Sequence, residues 1–189
     1  MFKVFINPGH APNGEPDPGA VNEVLGLKES QVVWEIGLQL KEILEHACCE
    51  VEILQSHNLC GESQGPEVCR SANDSGADVF ISLHCNAFNG QARGAETLCH
   101  MGGTKAEELA AYIQSQLVRQ IRLSDTEFPD RGIKYRPDLA VLRYTTMPAV
   151  LVEIGFIDNE DDAYLLTTHQ FSIAAAIARG ITDYWCQVG

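Results

Sequence analysis

The chain is poor in positive charge. It has 13 Lys and Arg against 26 Asp and Glu, a formal net charge of −13 at pH 7. Binding to nucleic acid needs clustered Lys and Arg, so this balance excludes it as the principal partner. Attachment to anionic lipid or anionic wall polymers by charge alone is excluded for the same reason. Long apolar runs are also missing. No stretch approaches the ~18 to 20 residues of a membrane helix, so membrane insertion is not expected. The opening Met1-Phe2-Lys3 leads directly into a strand pattern without the form of a secretory leader. Paired CxxC spacing is absent among the seven cysteines, Cys48, Cys49, Cys60, Cys69, Cys85, Cys99 and Cys186. An odd number in a chain of 189 residues argues against a disulfide framework. Most are expected as small apolar residues of the interior, in a chain made and kept in a reducing compartment. Internal repeats, low-complexity tracts and an interdomain linker are lacking too. The hydrophobic fraction of 45% and the charged fraction of 21% are ordinary for a globular protein with one full core.

Strand and helix patterns alternate. This predicts a single α/β domain over residues 1–189, a three-layer sandwich with a mostly parallel twisted sheet and helices on both faces. Strands are expected at Phe2 to Asn7, Val51 to Leu54, Asp78 to Leu83, Gly94 to His100, Leu139 to Leu142 and Ala149 to Glu153. A helix from about Lys28 to His46 has its buried stripe at Val33, Ile36, Leu40, Ile43 and Ala47. Pro66 to Ser75 reads as a shorter helix with Pro in its first turn. Thr104 to Leu123 is amphipathic, with Leu109, Tyr112, Ile113, Gln116, Leu117 and Ile121 along one side. A short helix near Asp161 to Leu166 and a last one from about Gln170 to Trp185 complete the order. The stretches His10 to Gly26 and Ser124 to Asp138 read as loops, rich in Gly, Pro and Asn and in Asp, Arg and Pro respectively.

Three apolar runs end on groups able to hold or serve a metal. Val4-Phe5-Ile6 leads through Asn7-Pro8-Gly9 to His10, Val79 to Leu83 leads to His84, and Ala149 to Val152 leads to Glu153. Such runs are buried strands, and ligands of open α/β sheets bind outside the carboxyl ends of the strands. Glu29 is a fourth candidate. It lies four residues before Val33 on the inward stripe, where a carboxylate is costly unless compensated. The simpler reading of Glu29 is an acid favoured by the helix dipole. The simpler reading of Glu153 is a buried carboxylate paired with Arg131, Arg136 or Arg143. His46, His57, His100 and His169 read as ordinary loop or surface histidines. Two neutral imidazoles and one carboxylate suit Zn²⁺ and leave a fourth position for water. Glu153 beside such a water would be a general base. Cys85 follows His84 in a strand, so its side chain should face away from the site. Spacing alone does not fix this set, which has none of the compactness of HExxH.

Several segments together carry a resemblance. They are Ile6-Asn7-Pro8-Gly9-His10, Asp17-Pro18-Gly19-Ala20, Gly26-Leu27-Lys28-Glu29, Ser82 to Ala87, Gly94-Ala95-Glu96-Thr97, Arg131-Gly132-Ile133-Lys134 and Pro148 to Asn159. In this order the chain resembles the zinc-dependent N-acetylmuramoyl-L-alanine amidases of the Amidase_3 type over nearly its whole length. The resemblance implies one zinc ion held by His10, Glu29 and His84, with Glu153 as the catalytic glutamate. It implies peptidoglycan as partner and cleavage of the amide between the lactyl group of N-acetylmuramic acid and L-alanine of the stem peptide. Action at the bacterial cell wall, outside the cell or in the periplasm, and a monomeric state follow as expectations. The chain departs from the family in the longer link Ala11 to Pro16 before Asp17 and in Lys28-Glu29-Ser30, where Glu-Lys is commoner. Both departures touch substrate detail more than the ligand set. Two rival functions stay open at this point: a zinc peptidase cutting within the stem peptide, and a wall-binding module that has lost catalysis.

Overall fold

The computed structural model describes residues 1–56 and 67–188. His57, Cys60 and the expected first-turn Pro66 lie outside the described residues. Strands are β1 (Lys3–Pro8), β2 (Val21–Asn22), β3 (Leu27–Lys28), β4 (Glu50–Ile53), β5 (Val79–Asn86), β6 (Ala95–Cys99), β7 (Asp130–Tyr135) and β8 (Ala149–Phe156). Helices are α1 (Glu29–His46), α2 (Glu67–Ser75), α3 (Lys105–Ile121), α4 (Ala140–Arg143), α5 (Glu160–Thr168) and α6 (Gln170–Val188). Six strands form one sheet in the order β4-β1-β5-β8-β6-β7. The four from β4 to β8 are parallel, as is β6 with β7, while β6 is antiparallel to β8. The sheet is therefore mostly parallel, as expected, with a reversed pair at one side.

Side-chain alternation along the strands builds two cores. Val4 and Ile6 of β1, Val79, Ile81 and Leu83 of β5, and Val150 and Val152 of β8 share one core with α1, α3 and α6. Phe5, Phe80 and Leu151 face the other way, into a smaller core with α2 and α4. Strands covered on both faces carry apolar residues without alternation, which is why β1, β5 and β8 were readable from sequence. Cys85 packs in the larger core, away from His84, as strand alternation requires. The six described cysteines are unpaired; Cys49, Cys69, Cys85 and Cys99 are buried, Cys48 and Cys186 exposed.

Four expectations need correction. Ser124 to Asp138 is not all loop, because β7 runs from Asp130 to Tyr135. As the sheet's last strand it pairs on one side alone, so its mostly exposed residues carry no apolar signal. Leu139 to Leu142 is not a strand. Residues Ala140–Arg143 form one helical turn, with the amides of Leu142 and Arg143 both bonded to the carbonyl of Leu139. Four apolar residues cannot distinguish the two states by period. The stretch His10 to Gly26 holds a 3₁₀ turn at Pro12–Gly14 and β2, which pairs with β3 in a small hairpin. The stripe of α1 ends on Leu44, and Ala47 is exposed.

The reversed pair is pinned by one buried amide. Gln114 of α3 donates to the carbonyl of Ala95 (2.8 Å) and to Asp130 Oδ1 (2.7 Å), and accepts from Thr97 Oγ1 (2.8 Å). This fixes the first residues of β6 and β7 at the same edge where β1, β5 and β8 end. Among the described residues no helix is long and apolar enough to cross a membrane.

Candidate metal centre

The sheet edge brings the four candidates together. His10 follows β1 with φ 65°, a left-handed turn that aims its ring back over the strand ends. Glu29 is the first residue of α1 and is 4% exposed. Its amide is bonded to the carbonyl of Ala20, which ties the helix start to the preceding loop (2.9 Å). His84 lies on β5 and pairs in register with Glu153 of β8.

One ligand atom from each of His10, Glu29 and His84 lies within 4.8 Å of the other two. Glu29 Oε1 is 2.9 Å from His10 Nε2 and 2.9 Å from His84 Nδ1, and it accepts from the amide of Cys85 at 2.9 Å. Glu29 Oε2 accepts from the amide of Ala20 at 2.8 Å. The other nitrogen of His10, Nδ1, is 2.8 Å from Asp17 Oδ2, and Asp17 Oδ1 accepts from the amide of Gly19 at 3.0 Å. A carboxylate behind an imidazole fixes the tautomer whose inward nitrogen carries the lone pair. That inward atom, His10 Nε2, is buried and faces Glu29 Oε1 at 2.9 Å. Two imidazole nitrogens and a carboxylate converging in this way have the chemistry of a three-ligand zinc site.

Two glycines make room for the rings. A Cβ on Gly9 would lie 2.3 Å from His84 Cε1, and one on Gly19 would lie 2.6 Å from both His10 Cδ2 and Glu29 Oε2. Neither contact could be relieved without moving a ligand.

The electrostatics of the cluster are those of a held charge. Burial pulls the His10 pKa down, but the hydrogen bond and charge of Glu29, then those of Asp17, outweigh it and push the pKa up to about 9. Burial disfavours the Glu29 carboxylate, yet His10 and His84 hold its pKa far below the usual range. A cation would replace the proton that His10 otherwise carries.

Glu153 stands in a different setting. Its Oε2 is buried and has no hydrogen-bond partner. Burial first, and then the charges of Glu29 and Glu96, raise its pKa to about 7, against the opposing influence of His84 and His10. No ion pair reaches it among the described residues. Arg131 pairs with Glu96 (3.1 Å), Arg136 with Asp138 (2.8 Å), and Arg143 lies over the ring of Tyr144. The reading of Glu153 as one half of an arginine pair is thereby removed. A carboxyl poised near neutrality with a free oxygen can take and return a proton.

His46 and His169 bond locally, to the carbonyl of Glu42 and to Thr168, and His100 lies outside the cluster. Asp17 is the residue that the reading of single candidates missed. Its signal was the Asp-Pro-Gly-Ala segment seven residues after His10.

Fold and site together define a single-domain α/β protein with a candidate mononuclear metal centre and a free glutamate at the carboxyl edge of its sheet. Residues 4–183 match the N-acetylmuramoyl-L-alanine amidase family, and the chain belongs to it. It is 35% identical over 184 residues to the sporulation-specific N-acetylmuramoyl-L-alanine amidase of Bacillus subtilis (strain 168), covering 96% of this chain and 67% of that protein. It is 36% identical over 184 residues to the endolysin of Bacillus phage SPP1, covering 95% of this chain and 65% of that protein. The chain thus spans about two-thirds of the length of these relatives. Among solved structures, the CwlD amidase of Clostridioides difficile, in complex with the GerS lipoprotein, superposes with a TM-score of 0.84 at 29% identity, covering 99% of this chain and 100% of that one.

Proposed function

We propose that residues 1–189 act as one catalytic unit that hydrolyses the amide between the lactyl group of N-acetylmuramic acid and L-alanine of the peptidoglycan stem peptide, at the bacterial cell wall. His10, Glu29 and His84 would hold one zinc ion. When bound there, zinc supplies a Lewis acid for the scissile carbonyl and lowers the pKa of attacking water to about 7.

The chain's own groups do the rest. Asp17 keeps the proton of His10 on Nδ1, so Nε2 stays a donor to the ion. Glu153 takes a proton from the water that attacks the carbonyl carbon. It gives that proton to the departing nitrogen of L-alanine as the carbon–nitrogen bond breaks. The ligand set carries one negative charge against two positive ones, so the site stays net positive toward the carbonyl oxygen.

The observation that carries this reading is the unpartnered Oε2 of Glu153 beside three convergent ligands. Replacement of Glu153 by Gln should leave one equivalent of zinc bound and nearly abolish peptide release. Digested peptidoglycan analysed by mass should show intact glycan and new L-alanine amino groups. Cuts within the stem peptide, or near-normal turnover by Glu153→Gln, would sink the assignment.

A further inference from the structure

On the far side of Glu153 from the metal cluster lies a second polar group that the reaction above leaves unused. Glu96 of β6 pairs with Glu153 across the antiparallel ladder. Its carboxylate is fully engaged. Oε1 accepts from Asn86 Nδ2 at 3.0 Å and Oε2 accepts from Arg131 Nε at 3.1 Å. The Arg131 guanidinium is also braced over the buried ring of Phe156, at 5.0 Å from its centroid.

The backbone explains why Arg131 points there. Asp130 pairs with Ala95 and Gly132 with Glu96, so Arg131 is the extra residue of a bulge in β7. Bulges of this kind re-aim a side chain beside a site. Among the described residues only Nε of Arg131 makes a hydrogen bond, and the side chain is 38% exposed. Its two terminal amines find no hydrogen-bond partner among the described residues. Arg136, by contrast, is closed by a two-pronged contact with Asp138 through Nε (2.9 Å) and Nη2 (2.8 Å). In a chain of net charge −13, a rigid and half-open guanidinium next to a catalytic carboxylate is conspicuous. A planar fork fixed by one side and a ring suits a carboxylate bound through two hydrogen bonds.

We propose that Arg131 is a specificity-determining residue that binds a carboxylate of the stem peptide, on the residue following the L-alanine whose amide is cut. This rests on the proposed reaction at the same edge. Distances agree in scale. Adjacent strands are ~5 Å apart, so the backbone of Arg131, two strands over on β7, lies about 10 Å from that of Glu153, and its side chain reaches back to Glu96 on the strand between. Two extended residues span ~7 Å, the reach from a scissile amide to the acid group of the next residue. Glu96 acts through Arg131, as a positioning residue.

Two soluble substrates test this, both with the γ-carboxyl capped as a methylamide as it is capped by the next residue in a stem peptide: N-acetylmuramoyl-L-alanyl-D-glutamate γ-methylamide, with a free α-carboxylate, and its α-amide, the N-acetylmuramoyl-L-alanyl-D-isoglutamine γ-methylamide. With the zinc-loaded full chain, kcat/KM should favour the free acid by on the order of 10- to 100-fold, the scale of a paired charge-assisted contact. Arg131→Met should erase that preference by slowing the acid alone, leaving the amide within about threefold, the spread of a side chain outside the reacting atoms. Arg131→Lys should recover part of it, having the charge without the fork. Equal rates on both substrates with the native chain, or an equal loss on both with Arg131→Met, would overturn the proposal. Should the native chain cut neither substrate, the proposed reaction has failed, and calorimetric titration with the corresponding γ-methylamide-capped L-alanyl dipeptides, α-acid and α-amide, still decides. Tighter binding of the acid, lost in Arg131→Met, would support the role of Arg131, and equal or absent binding would end it.

Discussion

Two carboxylates at one sheet edge are treated in opposite ways. Glu29 has both oxygens engaged, by two imidazoles and two backbone amides, and its pKa is held far down. Glu153 has an oxygen with no partner, and its pKa is raised to about 7. Glu29 is buried and Glu153 half-buried, so exposure alone does not produce this order. What separates them is compensation. Glu29 begins a helix and faces protonatable rings, while Glu153 sits mid-sheet between His84 and an already paired Glu96. On the proposed reaction, the group that holds an ion is fixed by many bonds. The group proposed to move a proton is left without them.

The largest break of this contrast comes from Glu153 itself. Glu153→Gln is expected to lower kcat by on the order of 10²- to 10⁴-fold, the range for a positioned acid–base group. Zinc content, read by atomic absorption, should stay at one equivalent. Glu29→Gln should reverse the pattern and lose the metal first. If both variants lost zinc equally, the two carboxylates would not have separate roles.

A second test uses stability. The folded-state pKa of Glu153 lies above its ordinary value of 4.5, at about 7. The folded chain therefore binds this proton more tightly than the unfolded chain. That contribution is fully present below pH ~4.5 and is lost as the pH rises through about 7. Relative to Glu153→Gln, the metal-free native chain should lose up to about 3 kcal/mol across this window. Urea unfolding at pH 4.5 and 8 measures it. Added zinc should shrink the difference, since a cation beside the carboxylate favours its charged form. A pH-independent difference between the two chains would refute the raised pKa.

Much of the fold was legible because burial on both faces writes itself into sequence. Val79 to Leu83 and Ala149 to Val152 could be little else than covered strands, and they end on His84 and Glu153. Glu29 was legible as a carboxylate on an apolar helix stripe. The register that sets His84 beside Glu153, and Glu153 beside Glu96, was not, since pairing joins residues far apart in the chain. β7 was illegible for a related reason. Its residues are mostly exposed and one of them is a bulge, and its position depends on Gln114 of a distant helix. Asp17 stayed hidden because its partner is a single nitrogen of His10, seven residues away across a turn.

Asp17 gives the mildest test and the sharpest one for the metal. Its Oδ2 accepts from His10 Nδ1 while its Oδ1 accepts from the amide of Gly19. In Asp17→Asn one of these atoms becomes an amide donor. If the oxygen stays on Gly19, the new NH₂ faces Nδ1 and draws the imidazole proton to Nε2, the atom that should bind zinc. If the oxygen turns to His10, the amide of Gly19 loses its acceptor and the turn carrying Ala20 against Glu29 loosens. Either outcome weakens the site from behind without removing a ligand. Zinc affinity, measured by competition with a chromophoric chelator, is expected to fall by about 10- to 100-fold, as for other partners behind a metal-bound histidine. The kcat at saturating zinc should change far less, because Glu153 and its free oxygen are untouched. The loss should also shrink the pH dependence of zinc binding. Asp17 is one of the groups raising the His10 pKa to about 9, so without its charge fewer protons compete with the ion near neutrality. Unchanged affinity in Asp17→Asn would mean that His10 needs no fixed tautomer, and the distinction between held and free groups at this edge would lose its first member.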